Sequence, residues 1–343
     1  MKTKTLAVAL VGLLAAALSA CGGTAGGASG DKTVTVYTVD GLEDWYAQRF
    51  DEFKAQTGIT VQAVTAGSGE VASRVEKEKS NTQADVLVTL PPFIQRAASQ
   101  GLLAPTTIAG ADQIPAAQRD PQGRYAAMMN NYLSFIYNPE RAAPAPKSWN
   151  DLLDGRFKGK IQYSTPGEAG DGTAVLLELQ HVLGDQGALD YLGKLEANNV
   201  GPSSSTGKLQ PKVAKGEIVV ANGDVQMNLA EIDKSGGFEV FFPADNRGKR
   251  STFALPYYAG LVAGAPHADN GKKLLDFLFS AEAQAKTVEA YGVPVRLDVT
   301  ASGPKADKVT AALRGVDIWQ PDWDVVLGKL DADLAAYKKA VGR

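Results

Sequence analysis

Residues 33–64 read TVTVYTVDGLEDWYAQRFDEFKAQTGITVQAV, and the order of elements in this stretch decides the fold. Thr33 to Tyr37 is a run of β-branched and aromatic residues, which predicts a strand. Leu42, Trp45, Tyr46, Phe50 and Phe53 then recur at helical spacing. Thr57-Gly58 closes that helix, because glycine takes the left-handed backbone that ends a helix. Ile59 to Val64 predicts a second strand. A helix of this length between two strands makes them parallel neighbours, with the helix on one face of the sheet. Working outward, Glu70 to Lys79 predicts a helix with Val71 and Val75 inward. Asp85 to Val88 predicts a third strand, and Pro92 to Gln100 a helix stopped by Gly101. The first domain is therefore expected to be α/β with a largely parallel sheet.

The texture changes at Tyr132 to Tyr137 (YLSFIY), an apolar strand closed by Asn138-Pro139. Pro144, Pro146 and Ser148-Trp149-Asn150-Asp151 make a turn into a short helix. Strands follow at Ile161–Ser164, Ile218–Ala221 and Phe238–Phe242, with helices at Gly172–Leu183 and Ala188–Ala197. Ala254 to Val262 is a further apolar strand, and helices are expected at Asn270–Phe279 and Ala281–Ala290. Two long apolar strands flanking an insertion suggest paired hinge crossings. The expected organisation is two α/β domains joined by two hinge strands. Lobe 1 takes residues 31–131 and 256–343, and the inserted lobe 2 takes residues 132–255. The C-terminal part, with Trp319 and Trp323, is expected to return to lobe 1.

Ahead of these domains, Lys2 and Lys4 precede an apolar run from Leu6 to Leu18, then Leu18-Ser19-Ala20-Cys21. This is the pattern of a signal peptide over residues 1–20. The run is shorter than the ~20 apolar residues a spanning helix needs. Cys21, the single cysteine, matches the lipidated first residue of a mature bacterial lipoprotein. Residues 21–30 then form a flexible tether, since Gly22 to Gly30 (GGTAGGASG) holds no group able to anchor a fold. The formal net charge is −3, which does not favour nucleic acid or an anionic membrane surface. Membrane contact is expected through the anchor only. One cysteine and two histidines leave no disulfide and no Cys- or His-based metal site, and neither metal nor cofactor is expected.

Ligands in open α/β sheets sit outside the carboxyl ends of the strands. The five such ends here are small and polar: Thr38-Val39-Asp40-Gly41, Thr65-Ala66-Gly67-Ser68-Gly69, Thr89-Leu90-Pro91-Pro92, the segment from Ser164 to Thr173, and Asn222-Gly223-Asp224. Two are glycine-rich and open helices, where unpaired N–H groups and the positive dipole end attract anions. Ordinary capping by Ser68 or Thr173 is the competing reading. No basic side chain sits in these loops, but Asp40, Glu43, Glu168, Asp171 and Asp224 do. A ligand with an anion at one end and a cation at the other suits that mixture. Tyr257 and Tyr258, on the second hinge strand, could offer one ring to the cleft, although core packing explains either. Gly201 to Lys208 fails as a phosphate loop, with five residues between its glycines and Leu209 after the lysine. Neither His181 nor His267 has a catalytic setting, and no acid–base pair stands out.

Longer words carry a resemblance. Ser148-Trp149-Asn150-Asp151-Leu152-Leu153, Gln83 to Thr89, Asn131 to Asn138, Gln162 to Gly167, Ala197 to Ser203, Val220 to Asp224 and Trp319-Gln320-Pro321 are similar to segments of the solute-binding proteins of bacterial ABC importers. The match runs through the mature chain, and it is strongest with the branch that takes 2-aminoethylphosphonate. The resemblance implies a type II periplasmic-binding-protein clamshell that is not an enzyme and hands its ligand to an ABC transporter permease. It implies a monomer held at the outer face of the cell membrane through Cys21. On this basis Ser68, Gly69, Thr89, Ser164, Thr165, Gly172 and Thr173 are expected to hold the phosphonate. Asp224 would pair with the ammonium, with Asp40 or Glu43 as the next candidates and Asn222 and Tyr257 lining the cleft. Ferric-iron binders of this family place adjacent tyrosines where this chain has Gly223-Asp224-Val225, so iron is not expected. Another small phosphonate, a phosphate ester or a polar zwitterion is the alternative ligand. A surface-anchored phosphoester or phosphonate hydrolase is the distant alternative.

Overall fold

The computed structural model describes residues 32–343; the expected signal peptide, Cys21 and the expected tether lie outside the described residues. In chain order the elements are β1 (Thr33–Val39), α1 (Glu43–Thr57), β2 (Thr60–Ala66), α2 (Ser68–Lys77), β3 (Val86–Thr89), α3 (Phe93–Ser99), β4 (Ala126–Met129) and β5 (Leu133–Tyr137). Next come β6 (Ile161–Gln162), α4 (Gly170–Leu195), α5 (Gln210–Ala214), β7 (Val220–Asp224), α6 (Val225–Lys234), β8 (Glu239–Phe241), β9 (Ser251–Phe253) and β10 (Tyr257–Leu261). The chain ends with α7 (Ala268–Leu278), α8 (Ala281–Ala285), α9 (Pro304–Ala312), β11 (Asp317–Trp319) and α10 (Trp323–Ala340).

The opening stretch folds as its pattern requires. β1 and β2 pair in parallel from Thr33↔Thr60 to Val39↔Ala66. α1 starts with Glu43 and Asp44, which suit the positive helix end, and stops at Gly58 with φ 72°. Its inner face carries Trp45, Tyr46 and Phe53, but also Arg49, which is buried with ion pairs to Glu52 and Glu289. Phe50, expected inside, is only partly buried. The first sheet has the order β2-β1-β3-β10-β4. β10 runs antiparallel to both its neighbours, so the sheet is mixed rather than uniformly parallel. The second sheet has the order β6-β7-β5-β8, with β6–β7 parallel and β5 antiparallel to β7 and β8.

The two expected long strands are each shorter than their apolar runs. β5 belongs wholly to the second sheet and β10 wholly to the first. Between the sheets, the chain crosses at Asn130–Tyr132 and returns at Ala254–Pro256. These crossings are fastened side by side by a Tyr132↔Ala254 bridge and by the Leu255 N–H donating to the Asn131 carbonyl at 2.8 Å. The helix pair expected over 172–197 is α4, broken by Gly184 at φ 74°, ψ 166°.

The C-terminal segment departs from its expected return to lobe 1. β11 pairs with β9, and Trp319 stacks on His181 and donates Nε1–H to Glu178, both residues of α4. α10 continues along α4, with Gln180–Asp333, Lys329–Asp185 and Tyr163–Tyr337 contacts, and reaches α3 through Arg96–Asp331. Its apolar stripe specified burial but not the partner surface.

Candidate functional site

The carboxyl ends of β1, β2 and β3 face the loops of the second sheet, and the two sets touch. Asp40, just after β1, accepts from Ser205 Oγ at 2.5 Å and from the Gly207 N–H at 2.9 Å. The Gly41 carbonyl accepts from Gln226 Nε2 at 3.0 Å, and Tyr257 OH donates to Gln226 Oε1 at 3.0 Å. Gly69 donates its N–H to the Glu168 carbonyl at 2.9 Å. At the rim, Lys234 on α6 pairs with Asp44 on α1. A cavity of about 300 Å³ opens there, bordered by Asp40, Glu43, Ser205, Met227 and Lys234. Asp171 and Asp224 are not among its walls.

Two helix N-termini converge across this interface. α2 begins at Ser68 and α4 at Gly170, and a Cβ added to Gly170 would lie 2.7 Å from Ser68 Oγ. A Cβ on Gly69 would lie 2.1 Å from the Gly167 carbonyl oxygen, so glycine is required for this approach. Gly172 is as tightly placed, 2.2 Å from the Ser164 carbonyl oxygen by the same measure. The first N–H groups of each helix have no intrahelical partner, so both positive ends point into one region.

Beside it lies an acidic pair. Asp224 ends β7 and caps α6, accepting the Met227 N–H at 2.7 Å through Oδ1. Its Oδ2, Asp171 Oδ1 and the Asn131 amide nitrogen are all buried without a hydrogen-bond partner. Asn131 sits on the first crossing and lies beside Asp224, while its Oδ1 accepts the Tyr132 and Gln226 N–H groups. Burial pushes Asp171 well above the usual carboxylate range, and the charges of Asp224 and Asp40 push it further. Asp224 is raised chiefly by burial, against the Met227 N–H and Asn131, which favour its charged form. The same three carboxylates add to burial in raising the Tyr257 hydroxyl. Among the described residues, no group of three or more His, Cys, Asp and Glu is arranged to hold a metal ion. The arrangement therefore suits an organic cation donating hydrogen bonds.

The expected site residues fall into distinct positions. Ser68, Gly69 and Gly172 lie where α2 and α4 meet. Ser164, Asn222 and Thr206 form a buried floor, with the Ser164 N–H on Asn222 Oδ1 at 2.8 Å and Thr206 Oγ1 on Ser164 Oγ at 3.1 Å. Thr89 Oγ1 donates to the Ser68 carbonyl, and Thr165 Oγ1 accepts the Ser203 N–H. Three of the expected residues have polar groups engaged within the protein. Thr173 spends its hydroxyl inside its own loop, accepting from the Gly167 N–H and donating to the Ala169 carbonyl. Glu43 is exposed and turns back to the Gly41 N–H at 2.9 Å. Asp40 has its Oδ2 taken by Ser205 and Gly207, which makes it a tie between the lobes. The strand ending at Asp224 also absorbs Asn222 and Gly223, which were expected in a loop.

Asp171, Asn131, Thr206 and Gln226 were not among the expected ligand residues. Asp171 was visible only as a carboxylate in a glycine-rich loop. Thr206 lay in the stretch that fails as a phosphate loop. No local pattern marks Asn131 or Gln226.

Residues 81–326 match the family model described as bacterial extracellular solute-binding protein, and the chain belongs to that family. Its members are the extracytoplasmic substrate-binding components of ABC transport and are not enzymes. A relative from Salmonella paratyphi A is 53% identical over 315 residues, covering 90% of this chain and 92% of its own. That relative is named, provisionally, a 2-aminoethylphosphonate-binding periplasmic protein. Among solved structures, the periplasmic binding protein P5PA matches with a TM-score of 0.80 at 24% identity, covering 90% of this chain and 99% of its own. AfuA of Actinobacillus pleuropneumoniae, solved with fructose-6-phosphate, matches with a TM-score of 0.76 at 23% identity, covering 91% and 98%. These likenesses establish the two-lobed clamshell fold.

Proposed function

We propose that this protein captures 2-aminoethylphosphonate between its lobes and delivers it to an ABC transporter permease without transforming it. The observation that carries this reading is the pair of buried, unpaired carboxylate oxygens of Asp171 and Asp224 beside the converging N-termini of α2 and α4. A phosphonate would take first-turn N–H groups of α2 and α4 other than that of Gly69, which the Glu168 carbonyl holds, together with the Ser68 hydroxyl, and Ser164 and Thr165 would border it. The ammonium, two carbons away, would take Asp171 and Asp224. The 53% identity to the Salmonella relative supports the same ligand. The lobe division at 131/132 and 255/256 is retained for the hinge, with α10 assigned to the face of lobe 2 that α4 presents. The mature protein is a monomer that begins at lipidated Cys21 and is held at the outer face of the membrane. Calorimetric titration with 2-aminoethylphosphonate tests the reading. One-to-one binding heat is expected, and absence of both heat and thermal shift at millimolar ligand would overturn it.

A further inference from the structure

We infer that the lobes close only around a ligand that carries its own cation: Asp171 and Asp224 of one lobe lie buried where Asp40 of the other bears on them, and a ligand lacking an ammonium leaves them facing one another. This inference rests on the aminophosphonate reading and concerns what that ligand must supply.

The geometry begins with burial. Asp171 is 3% exposed, Asp224 0% and Asn131 2%, and each has a polar atom without a partner. Asp40 comes from the end of β1 and is fixed against this region by Ser205 and Gly207. The groups bearing on the pair from the surrounding elements are Asp40, Tyr257 on β10, Thr206 and Asn131. None of the groups that shift Asp171 or Asp224 most strongly is a lysine, arginine or histidine. Taking ionised carboxylates out of water without a counter-ion is unfavourable, and closure imposes that cost on the pair.

The pH dependence follows in sign. Burial in this closed arrangement raises both carboxyl groups above the usual carboxylate range, so the empty closed form is penalised as pH rises through that range. It is relieved as pH falls and the carboxyls protonate. An ammonium reverses the preference by stabilising the ionised carboxylates. Binding of the anion and closing of the lobes thus become separable steps, and only a zwitterion completes both. The chemistry selects an amine-bearing phosphonate over an alkylphosphonate of equal length.

The test compares 2-aminoethylphosphonate with propylphosphonate, in which a methyl replaces the ammonium. Small-angle scattering of the full chain at pH 7.5 reads closure, and calorimetry reads affinity. The expected result is compaction with 2-aminoethylphosphonate and none with propylphosphonate, whose affinity is weaker by roughly 100-fold or more. In the Asp171→Asn, Asp224→Asn double variant, that preference should shrink at least about tenfold. Compaction of the wild-type chain by propylphosphonate overturns the inference while leaving the ligand reading intact. A double variant that keeps the wild-type preference overturns it too. Failure of 2-aminoethylphosphonate itself to bind overturns both. If the double variant does not fold, the wild-type comparison decides alone.

Discussion

The ligand's cation is assigned to two aspartates that reach their place by different routes. Asp224 stands where a strand meets a helix, and its Oδ1 is committed to the cap of α6. Replacing it with alanine removes both the cap and the charge, whereas asparagine keeps an oxygen for the Met227 N–H. Asp224→Asn should therefore leave thermal stability near wild type and weaken 2-aminoethylphosphonate by roughly 100-fold, read by calorimetry. Unchanged affinity would remove Asp224 from the cation site. The titration of this residue adds a pH dependence. Its carboxyl is raised to about 7, and ammonium binds the ionised form. Affinity should fall as pH drops through the range in which Asp171 and Asp224 take up protons, by at most about tenfold per pH unit for each proton displaced. Asp224→Asn should flatten the profile; an equally steep profile in that variant would assign the titration elsewhere. Asp224 could be singled out from sequence because it follows a short apolar strand. Asp171 could not be told apart from Glu168 in the same loop, since only folding buries one and leaves the other at the surface.

At the level of elements, the site depends on how closely α2 and α4 approach. Gly69 admits that contact because the Gly167 carbonyl occupies the place of a side chain. Gly69→Ala should leave each lobe folded but hold them apart, weakening ligand about tenfold or more, about 1.4 kcal/mol. Wild-type affinity in that variant would show that the loops do not meet as described. The C-terminal clasp is separate: Glu178 accepts from Ser251 Oγ at 2.5 Å and Trp319 Nε1 at 2.7 Å. Glu178→Ala strands both donors and should cost about 1–3 kcal/mol in urea denaturation, with ligand affinity little changed. A loss below about 0.5 kcal/mol would mean that β11 is held by its packing alone. β1, β2, β3 and β10 of the first sheet were legible because their apolar residues follow one period at a time, whereas β4 (Ala126–Met129), the edge strand beside β10, was not among the expected strands. β7 was cut short at Ala221 because Asn, Gly and Asp are turn-forming residues. The ladder with β5 carries them into the strand, from Tyr137↔Val220 to Leu133↔Asp224. The position of α10 was not legible, because an amphipathic helix specifies a buried face and leaves its partner open.

On the scale of the whole molecule, the paired crossings at Asn130–Tyr132 and Ala254–Pro256 are the proposed hinge, and both lie next to the candidate site. Asn131 touches the N-terminus of α6, and Tyr257 reaches the same turn through Gln226. Hinge position and ligand position are thus coupled through α6, which suits a carrier that must close on its load and reopen at a permease. The anchor belongs to this scale as well. Cys21→Ser should release the protein from the membrane fraction into the medium while leaving ligand affinity unchanged, and retention at the membrane would overturn the anchoring proposal. The most direct test of the central claim is a crystal structure with 2-aminoethylphosphonate bound. The account predicts the amine within hydrogen-bond distance of Asp171 and Asp224, at ~2.7–2.9 Å, and the phosphonate between the N-termini of α2 and α4. A ligand with its ends reversed, or one bound away from Asp171 and Asp224, would contradict it.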